Sequence, residues 1–207
     1  MENFWLNRYP KGVPETLELD PAETLSDVFE KSCHDYGARP AYSSFGKTIS
    51  FAELNVFSAR FAAYLQNNLG LEKGDRVAIM MPNTLQYPIA LFGILRAGMV
   101  VVNVNPLYTH RELHHQLKDS EARAIVIVAN SCKVLEEALD VGDTQVRSTI
   151  VTEIGDMLDW PKRPLINFAV RYLKRMVPNY KLKFPIAFRD TVKLSLIHIS
   201  EPTRLGM

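Results

Sequence analysis

One short stretch concentrates side chains that bind metal ions: His110, Glu112, His114 and His115 lie within six positions. On a helix, positions i and i+4 share a face, so His110 and His114 can reach one ion. A zinc site also needs a third ligand and groups that orient the imidazoles, and the sequence indicates neither. An exposed helix is therefore the favoured interpretation, and no metal ligand is assigned.

Glycine spacing suggests a phosphate-binding loop at two places. Gly46-Lys47-Thr48 has the ending of a P-loop, but Ala41 stands where that motif requires an earlier glycine. Gly93 and Gly98 have the required separation, yet Met99 follows instead of lysine. The glycines at both places are interpreted as turn and packing residues. The sequence also contains no G-x-S-x-G nucleophile elbow, so a hydrolase is unsupported.

The histidine stretch follows a junction between a strand and a helix. Residues 100–102 are apolar, as in a parallel strand buried on both faces, and Asn103, Asn105 and Pro106 end the strand by turn chemistry. Thr109 can cap the next helix, while the side chain of Glu112, three residues later, can accept a hydrogen bond from the Thr109 amide. The pattern therefore predicts a strand, a loop and a capped helix in succession.

Single helices alternate with strands along most of the chain, after a first helix and two short strands at 41–45 and 48–50. Ser50 and Glu53 predict a second capping box. This alternation predicts an α/β fold with a parallel sheet and helices on both faces. The later strands are predicted at 77–81, 99–104, 124–128 and 148–152, with helices near 84–97, 110–118 and 132–139.

The junction at 101–113, VVNVNPLYTHREL, resembles the "NPLYT-x-x-E-L" signature of long-chain fatty-acid:CoA ligases, in the adenylate-forming (AMP-binding) superfamily. Residues 46–54, GKTISFAEL, and 74–83, GDRVAIMMPN, match further family segments in the expected order. Residues 92–98 and 117–122 continue the match. The resemblance covers roughly residues 4–191, nearly the whole chain but only about the first third of a family member of ordinary length.

This resemblance implies that residues 1–193 are the N-terminal portion of the large AMP-binding domain. The complete enzyme would use ATP, Mg²⁺ and CoA to convert a fatty acid to acyl-adenylate and then acyl-CoA, releasing pyrophosphate and AMP. The family's phosphate loop, acidic ribose and Mg²⁺ ligands and catalytic lysine lie downstream. No residue here is therefore assigned a catalytic or cofactor-binding role, and the fragment alone is expected to be inactive.

Charge is divided unevenly. Residues 1–159 hold 14 Lys+Arg and 21 Asp+Glu, a net charge of −7, whereas residues 160–207 hold 10 and 2, a net charge of +8. Within 161–183, which contains no acidic residue, an apolar stripe at helical spacing opposes Arg171, Lys174 and Arg175. One interpretation is a core-packing helix with a solvated basic face. The functional interpretation is a helix that binds an anionic membrane surface through these three cations.

The remaining features bear on location and on the chain's end. Residue Glu2 and the absence of an apolar run after it argue against a secretory signal, and the isolated Cys33 and Cys132 suit reduced thiols. A cytoplasmic protein is expected, with peripheral attachment to the inner face of the cell membrane as the added hypothesis and no nucleic-acid partner. From about Leu194 the sequence resembles a translated sequencing-adapter string, so residues 194–207 are predicted to be a non-native tail on a truncated gene model.

Two alternatives remain open at this level. The first is another acyl or aryl acid:CoA ligase of the superfamily, since the pocket that sets chain length lies mostly downstream. The second is a noncatalytic α/β module that docks on a membrane or on a partner.

Overall fold

The computed structural model describes residues 4–16, 20 and 22–193; the predicted non-native tail, 194–207, lies outside the described residues. The strands are β1 (Pro40–Ser44), β2 (Lys47–Ser50), β3 (Arg76–Met80), β4 (Val100–Asn103), β5 (Ala124–Val128), β6 (Ser148–Thr152) and β7 (Ile186–Ala187). The helices are α1 (Leu25–Tyr36), α2 (Phe51–Asn67), α3 (Gln86–Arg96), α4 (His110–Asp119), α5 (Cys132–Asp140), α6 (Lys162–Phe168) and α7 (Phe188–Thr191).

Strands β3 to β7 form one sheet in the order β4-β3-β5-β6-β7, and every neighbouring pair is parallel. Val77 of β3 lies between Val101 of β4 and Ala124 of β5. The predicted parallel sheet is therefore confirmed. Strands β1 and β2, which correspond to the two short strands predicted at 41–45 and 48–50, form a separate antiparallel hairpin.

One expectation about this sheet is wrong. The apolar run at residues 100–102 predicted a strand buried on both faces, but β4 is an edge strand, and Val100 is 48% exposed. The physical reason is strand order, because β5 pairs on the other side of β3 and leaves β4 without a second neighbour. By contrast, every residue of the central strand β5 is buried.

Two apolar clusters cover the two faces of the sheet. Alternate residues of β3, such as Ile79, join helices α1, α2, α3 and α7 in one cluster, while Met80 joins α4 and α5 in the other. Side chains of a strand alternate between faces, so helices lie on both faces as predicted. Cys33 belongs to the first cluster and Cys132 to the second, and both thiols are free.

Helix α1 packs less deeply than its apolar residues suggested. Phe29 and Cys33 are buried, but Leu25, Val28 and Tyr36 are exposed. The ring of Phe29 stacks on Phe92 of α3 with 3.9 Å between centroids, which holds one side of α1 against the domain. The side chains of Leu25 and Val28 border an open groove between α1 and the hairpin.

The segment after β6 differs most from expectation. Instead of one helix through 161–183, α6 is followed by a π-helical turn at Ala169–Leu173 and then by irregular chain. The rings of Phe168, in α6, and Tyr172, in the π-helical turn, still lie 5.0 Å apart, so part of the predicted stripe is kept. Its large apolar residues are exposed instead of buried: Leu165, Phe168, Tyr172, Leu173 and Met176.

Candidate functional site at the carboxyl edge of the sheet

The order of the strands predicts a ligand crevice at the carboxyl edge of the sheet. Chain connections lead from β3 to β4 on one side, whereas β5, β6 and β7 lie on the other side. In open parallel sheets, ligands bind beyond the carboxyl ends of the strands at the point where the order reverses. That point lies between β3 and β5, so residues 81–84 and 129–131 border the candidate site.

The loop between β4 and α4 lies beside this crevice. The carboxamide oxygen of Asn105 accepts from the Leu107 amide at 3.0 Å, and the Pro106 carbonyl lies 3.5 Å from the Ser131 hydroxyl, which follows β5. The Thr109 amide donates to the Glu112 carboxylate at 2.8 Å, and the Glu112 amide donates to the Thr109 hydroxyl. The predicted capping box is confirmed, and the hydrogen bond from the Thr109 amide to the carboxylate lowers the pKa of Glu112.

A buried polar network occupies the carboxyl end of β6. Gln86 is 1% exposed, and its amide nitrogen donates to the Thr152 hydroxyl at 3.1 Å and to the Glu153 carbonyl at 2.9 Å. One carboxylate oxygen of Asp156 accepts from Thr152 and from the Glu153 amide, and the other accepts from Asn167 of α6. The network therefore joins the start of α3, the end of β6 and α6.

Burial dominates the electrostatics of this network. Desolvation raises the pKa of Asp156, although hydrogen bonds from Glu153, Thr152 and Asn167 favour its charged form. Glu153 forms an ion pair with Arg171, whose Nε donates at 3.0 Å, and this partner raises the pKa of Arg171. The amide oxygen of Gln86 has no hydrogen-bond partner.

Sequence reasoning missed these residues because none belongs to a recognisable motif. The available signal was weak: Gln86 and Thr152 are polar residues beside long apolar runs, and burial in this fold makes them part of a network. Gly155 is a second missed position. A Cβ there would lie 2.5 Å from the Asn167 carboxamide oxygen, so α6 packs where only glycine fits.

The histidine cluster is divided among separate partners. His110 lies 3.6 Å from Glu137 of α5, whereas a ring nitrogen of His114 lies 2.8 Å from the Gly142 carbonyl. Among the residues that the structure describes, no group of three potential ligands could hold a metal ion. The imidazoles of His110 and His114 therefore form contacts between α4 and the end of α5.

The glycines that imitate a phosphate loop have structural roles, as predicted. Gly46 adopts a φ of +74° in the hairpin turn, and Lys47 pairs with Asp159 at 2.9 Å. Gly93 lies where α2 and α3 cross, and Gly98 turns the chain with a φ of +73°. The described residues thus do not provide a loop of amides for a triphosphate.

The three predicted membrane-surface cations differ in their surroundings. Arg171 faces the domain and pairs with Glu153, whereas Lys174 and Arg175 are exposed without an ion pair among the described residues. Around them, Trp160 and Leu173 are 80% and 74% exposed. Within the described ranges, no helix has the length and apolar character needed to span a bilayer.

These features define a parallel α/β domain whose strand order reverses between β3 and β5. Comparison with known proteins then gives the family, because residues 29–181 match the model described as AMP-binding enzyme. The chain belongs to the AMP-binding enzyme family.

Similar proteins agree with this assignment. The long-chain-fatty-acid–CoA ligase of Escherichia coli O157:H7 is 54% identical over 192 residues, which are 93% of this chain and 34% of that protein. The long-chain-fatty-acid–CoA ligase of Yersinia pestis is 54% identical over 193 residues, with the same coverage of 93% and 34%. The luciferase-like enzyme of the mealworm Zophobas morio shares the fold, with a TM-score of 0.65 at 20% identity, covering 84% of this chain and 36% of that one. The chain thus spans about a third of the length of its curated relatives.

Proposed function

We propose that this chain is the N-terminal portion of an AMP-forming long-chain fatty-acid:CoA ligase. The observation that carries the proposal is 54% identity, across 93% of the chain, to relatives that bear this name. Within that match, the loop with its Thr109–Glu112 capping box has the sequence signature of the family.

In this reaction a fatty-acid carboxylate oxygen attacks the α-phosphorus of ATP, and pyrophosphate leaves. The CoA thiolate then attacks the acyl carbon and AMP leaves. ATP, Mg²⁺ and CoA are therefore the proposed cofactors of the whole enzyme. The described residues do not fit a triphosphate, because the Gly46 turn belongs to a hairpin and Lys47 is paired with Asp159. This chain would supply the scaffold at the crevice, and the remaining groups would come from the part that relatives have beyond it.

The first prediction concerns activity. We expect the purified 207-residue chain to catalyse no palmitate-dependent exchange of pyrophosphate into ATP, because its sequence contains no glycine-rich phosphate loop. The E. coli O157:H7 relative serves as the positive control. Exchange by this chain above a protein-free blank would contradict the prediction.

A chimera tests the proposal itself. Residues 1–193 of this chain would replace the matching N-terminal third of the E. coli O157:H7 relative. We expect the chimera to form palmitoyl-CoA from palmitate, ATP and CoA. A folded chimera with no ligase activity would favour a noncatalytic module.

We further propose that the segment 160–176 binds the anionic inner face of the cell membrane in a cytoplasmic protein. Exposed apolar side chains such as Trp160 and Leu173 lie on the same segment as exposed Lys174 and Arg175. Apolar insertion together with cation attraction is how interfacial segments bind bilayers. Since Glu153 neutralises Arg171, Lys174 and Arg175 are expected to contribute more than Arg171.

The second prediction is that Lys174→Glu with Arg175→Glu weakens flotation with phosphatidylglycerol vesicles. Each cation contributes about 1 kcal/mol near such a surface, so losing two costs roughly thirtyfold in binding at low salt, and repulsion of the two introduced carboxylates weakens binding further. Arg171→Gln should have a smaller effect. The matched control is Lys11→Glu with Lys31→Glu, two exposed cations elsewhere. Equal flotation of all variants, or no preference over neutral vesicles, would show that the segment is merely solvated.

A further inference from the structure

A second cavity lies at the opposite, amino edge of the sheet. This cleft, with a volume of about 350 Å³, is bordered by the end of α5, by the residues that lead into β6 and by the chain at 181–183. We call it the amino-edge cleft. The polar network of the carboxyl edge does not reach it, because strands β5 and β6 separate the two edges.

Three cations line the amino-edge cleft: Arg147, Lys181 and Lys183. All three are exposed, and none has an ion-pair partner among the described residues. Cations on an open surface are usually just solvated. Here they come from two separate stretches of chain and border one concave space.

The carboxylates of the cleft are mostly neutralised from outside it. Glu136 pairs with Lys133 at 3.0 Å and also accepts from the Lys181 amide at 2.8 Å. Asp143 pairs with Lys118, which lowers the pKa of Asp143. Asp140 is then the one lining carboxylate without an ion pair among the described residues.

The carboxyl end of α5 also opens towards this cleft. Its dipole is equivalent to about half a negative charge. That half charge and Asp140 together offset fewer than two of the three cations, so the cleft keeps a positive excess. Leu139, Val146 and Leu182 add a partly buried apolar floor.

We propose that the amino-edge cleft binds a soluble phosphorylated small molecule with at least two negative charges. Arginine binds phosphate oxygens through two parallel hydrogen bonds, and lysine binds them as a point charge. The volume exceeds that of one inorganic anion and falls within the range of small-molecule sites. The apolar floor would contact the organic part of the ligand.

The position of the cleft favours a soluble ligand over a lipid headgroup. The exposed apolar segment is fixed beside the carboxyl edge, where Asn167 contacts Asp156 and the Met176 carbonyl accepts from Asn130. The cleft lies at the other ends of these strands. A bilayer that contacts Leu173 would therefore leave the cleft in water.

Amide chemical-shift mapping of the 207-residue chain with inorganic pyrophosphate tests the proposal. We expect saturable shifts at Gly142, Thr144 and Thr149, which line the cleft. Arg147→Gln with Lys181→Gln and Lys183→Gln should weaken binding by about tenfold or more, because three attractive charges are removed. Asp140→Asn should strengthen it. The matched control is Arg8→Gln with Lys11→Gln and Lys31→Gln, three exposed cations elsewhere.

Each result has a defined meaning. Saturable shifts in the cleft that the triple variant loses and the control retains would support the proposal. Equal binding by triple variant and control, absence of saturation, or shifts at the carboxyl edge instead would overturn it. Phosphatidic acid vesicles provide the last comparison. Cleft shifts with these vesicles but not with pyrophosphate would assign the site to lipid and overturn the soluble ligand.

Discussion

Asp156 illustrates how burial and hydrogen bonding oppose each other in a single residue. Three donors favour its carboxylate, yet removal from water has the larger effect and raises its pKa. The folded state therefore holds the Asp156 proton more tightly than the unfolded chain does. By linkage, this residue's contribution to stability is fully present below the unfolded pKa and is lost as the pH rises through the raised folded pKa.

The third prediction follows from this direction of the pH dependence of stability. As the pH rises from below 3.8, the ordinary pKa of aspartate, towards neutrality, the Asp156→Asn variant should gain free energy of unfolding relative to the natural chain. Urea unfolding at a series of pH values measures the difference. Asp119→Asn, at an exposed carboxylate in α4, reports the effect of losing a surface charge. The role assigned to burial would be refuted if the difference in free energy of unfolding stayed constant with pH. It would also be refuted if the difference increasingly favoured the natural chain as the pH rises.

At the scale of elements, local signals and close packing determine different properties. Capping boxes at Thr24, Ser50 and Thr109 set where three helices begin, and each uses an acidic residue three positions later. How closely two helices approach depends on the side chains between them. Helices α2 and α3 cross at Gly93, where a Cβ would lie 2.7 Å from the Phe61 ring and 3.0 Å from the Ser58 carbonyl.

The fourth prediction is that Gly93→Ala destabilises the domain. Alanine would gain about 1 kcal/mol in helix propensity, but overpacking typically costs 1–3 kcal/mol, so a net loss of about 1 kcal/mol is expected. Thermal unfolding measures the change. In a Phe61→Leu background, the alanine should cost less because the ring is gone. An equal cost in both backgrounds, or a stabilised single variant, would contradict the contact.

At the scale of the whole molecule, the exposed apolar side chains of segment 160–176 set this surface apart. Polar contacts such as Asn167–Asp156 and Arg171–Glu153 hold the segment against the domain, while Leu165 and Leu173 are exposed. Contiguous apolar surface of this kind marks an interaction site and promotes association in water.

The fifth prediction is concentration-dependent self-association of the isolated chain in sedimentation velocity experiments. Leu165→Gln with Leu173→Gln should reduce it, since each leucine removes apolar area from water when it is covered. The matched control changes two exposed apolar residues elsewhere, Leu107→Gln with Val141→Gln, and should retain the association. A monomer at all concentrations, or the same reduction in both variants, would show that this surface does not self-associate.

The sequence by itself determined the local structure and the class of fold. Capping residues, turn glycines and apolar runs act over a few positions, so β5, the start of α4 and the turn at Gly46 were all predictable. Alternation of strands and helices was enough to predict a parallel sheet with helices on both faces. The family resemblance was also visible in the chain alone, through residues 101–113.

Only the tertiary structure decided which groups meet. Strand order placed β4 at an edge, and burial turned Gln86, Thr152 and Asp156 into one network although Gln86 lies 66 positions from Thr152. Arg171 similarly forms an ion pair with Glu153 and so does not join the predicted basic face. Such contacts depend on how whole elements pack, and no periodicity within one segment carries that information. For this reason the fold was predictable and the surroundings of the candidate site were not.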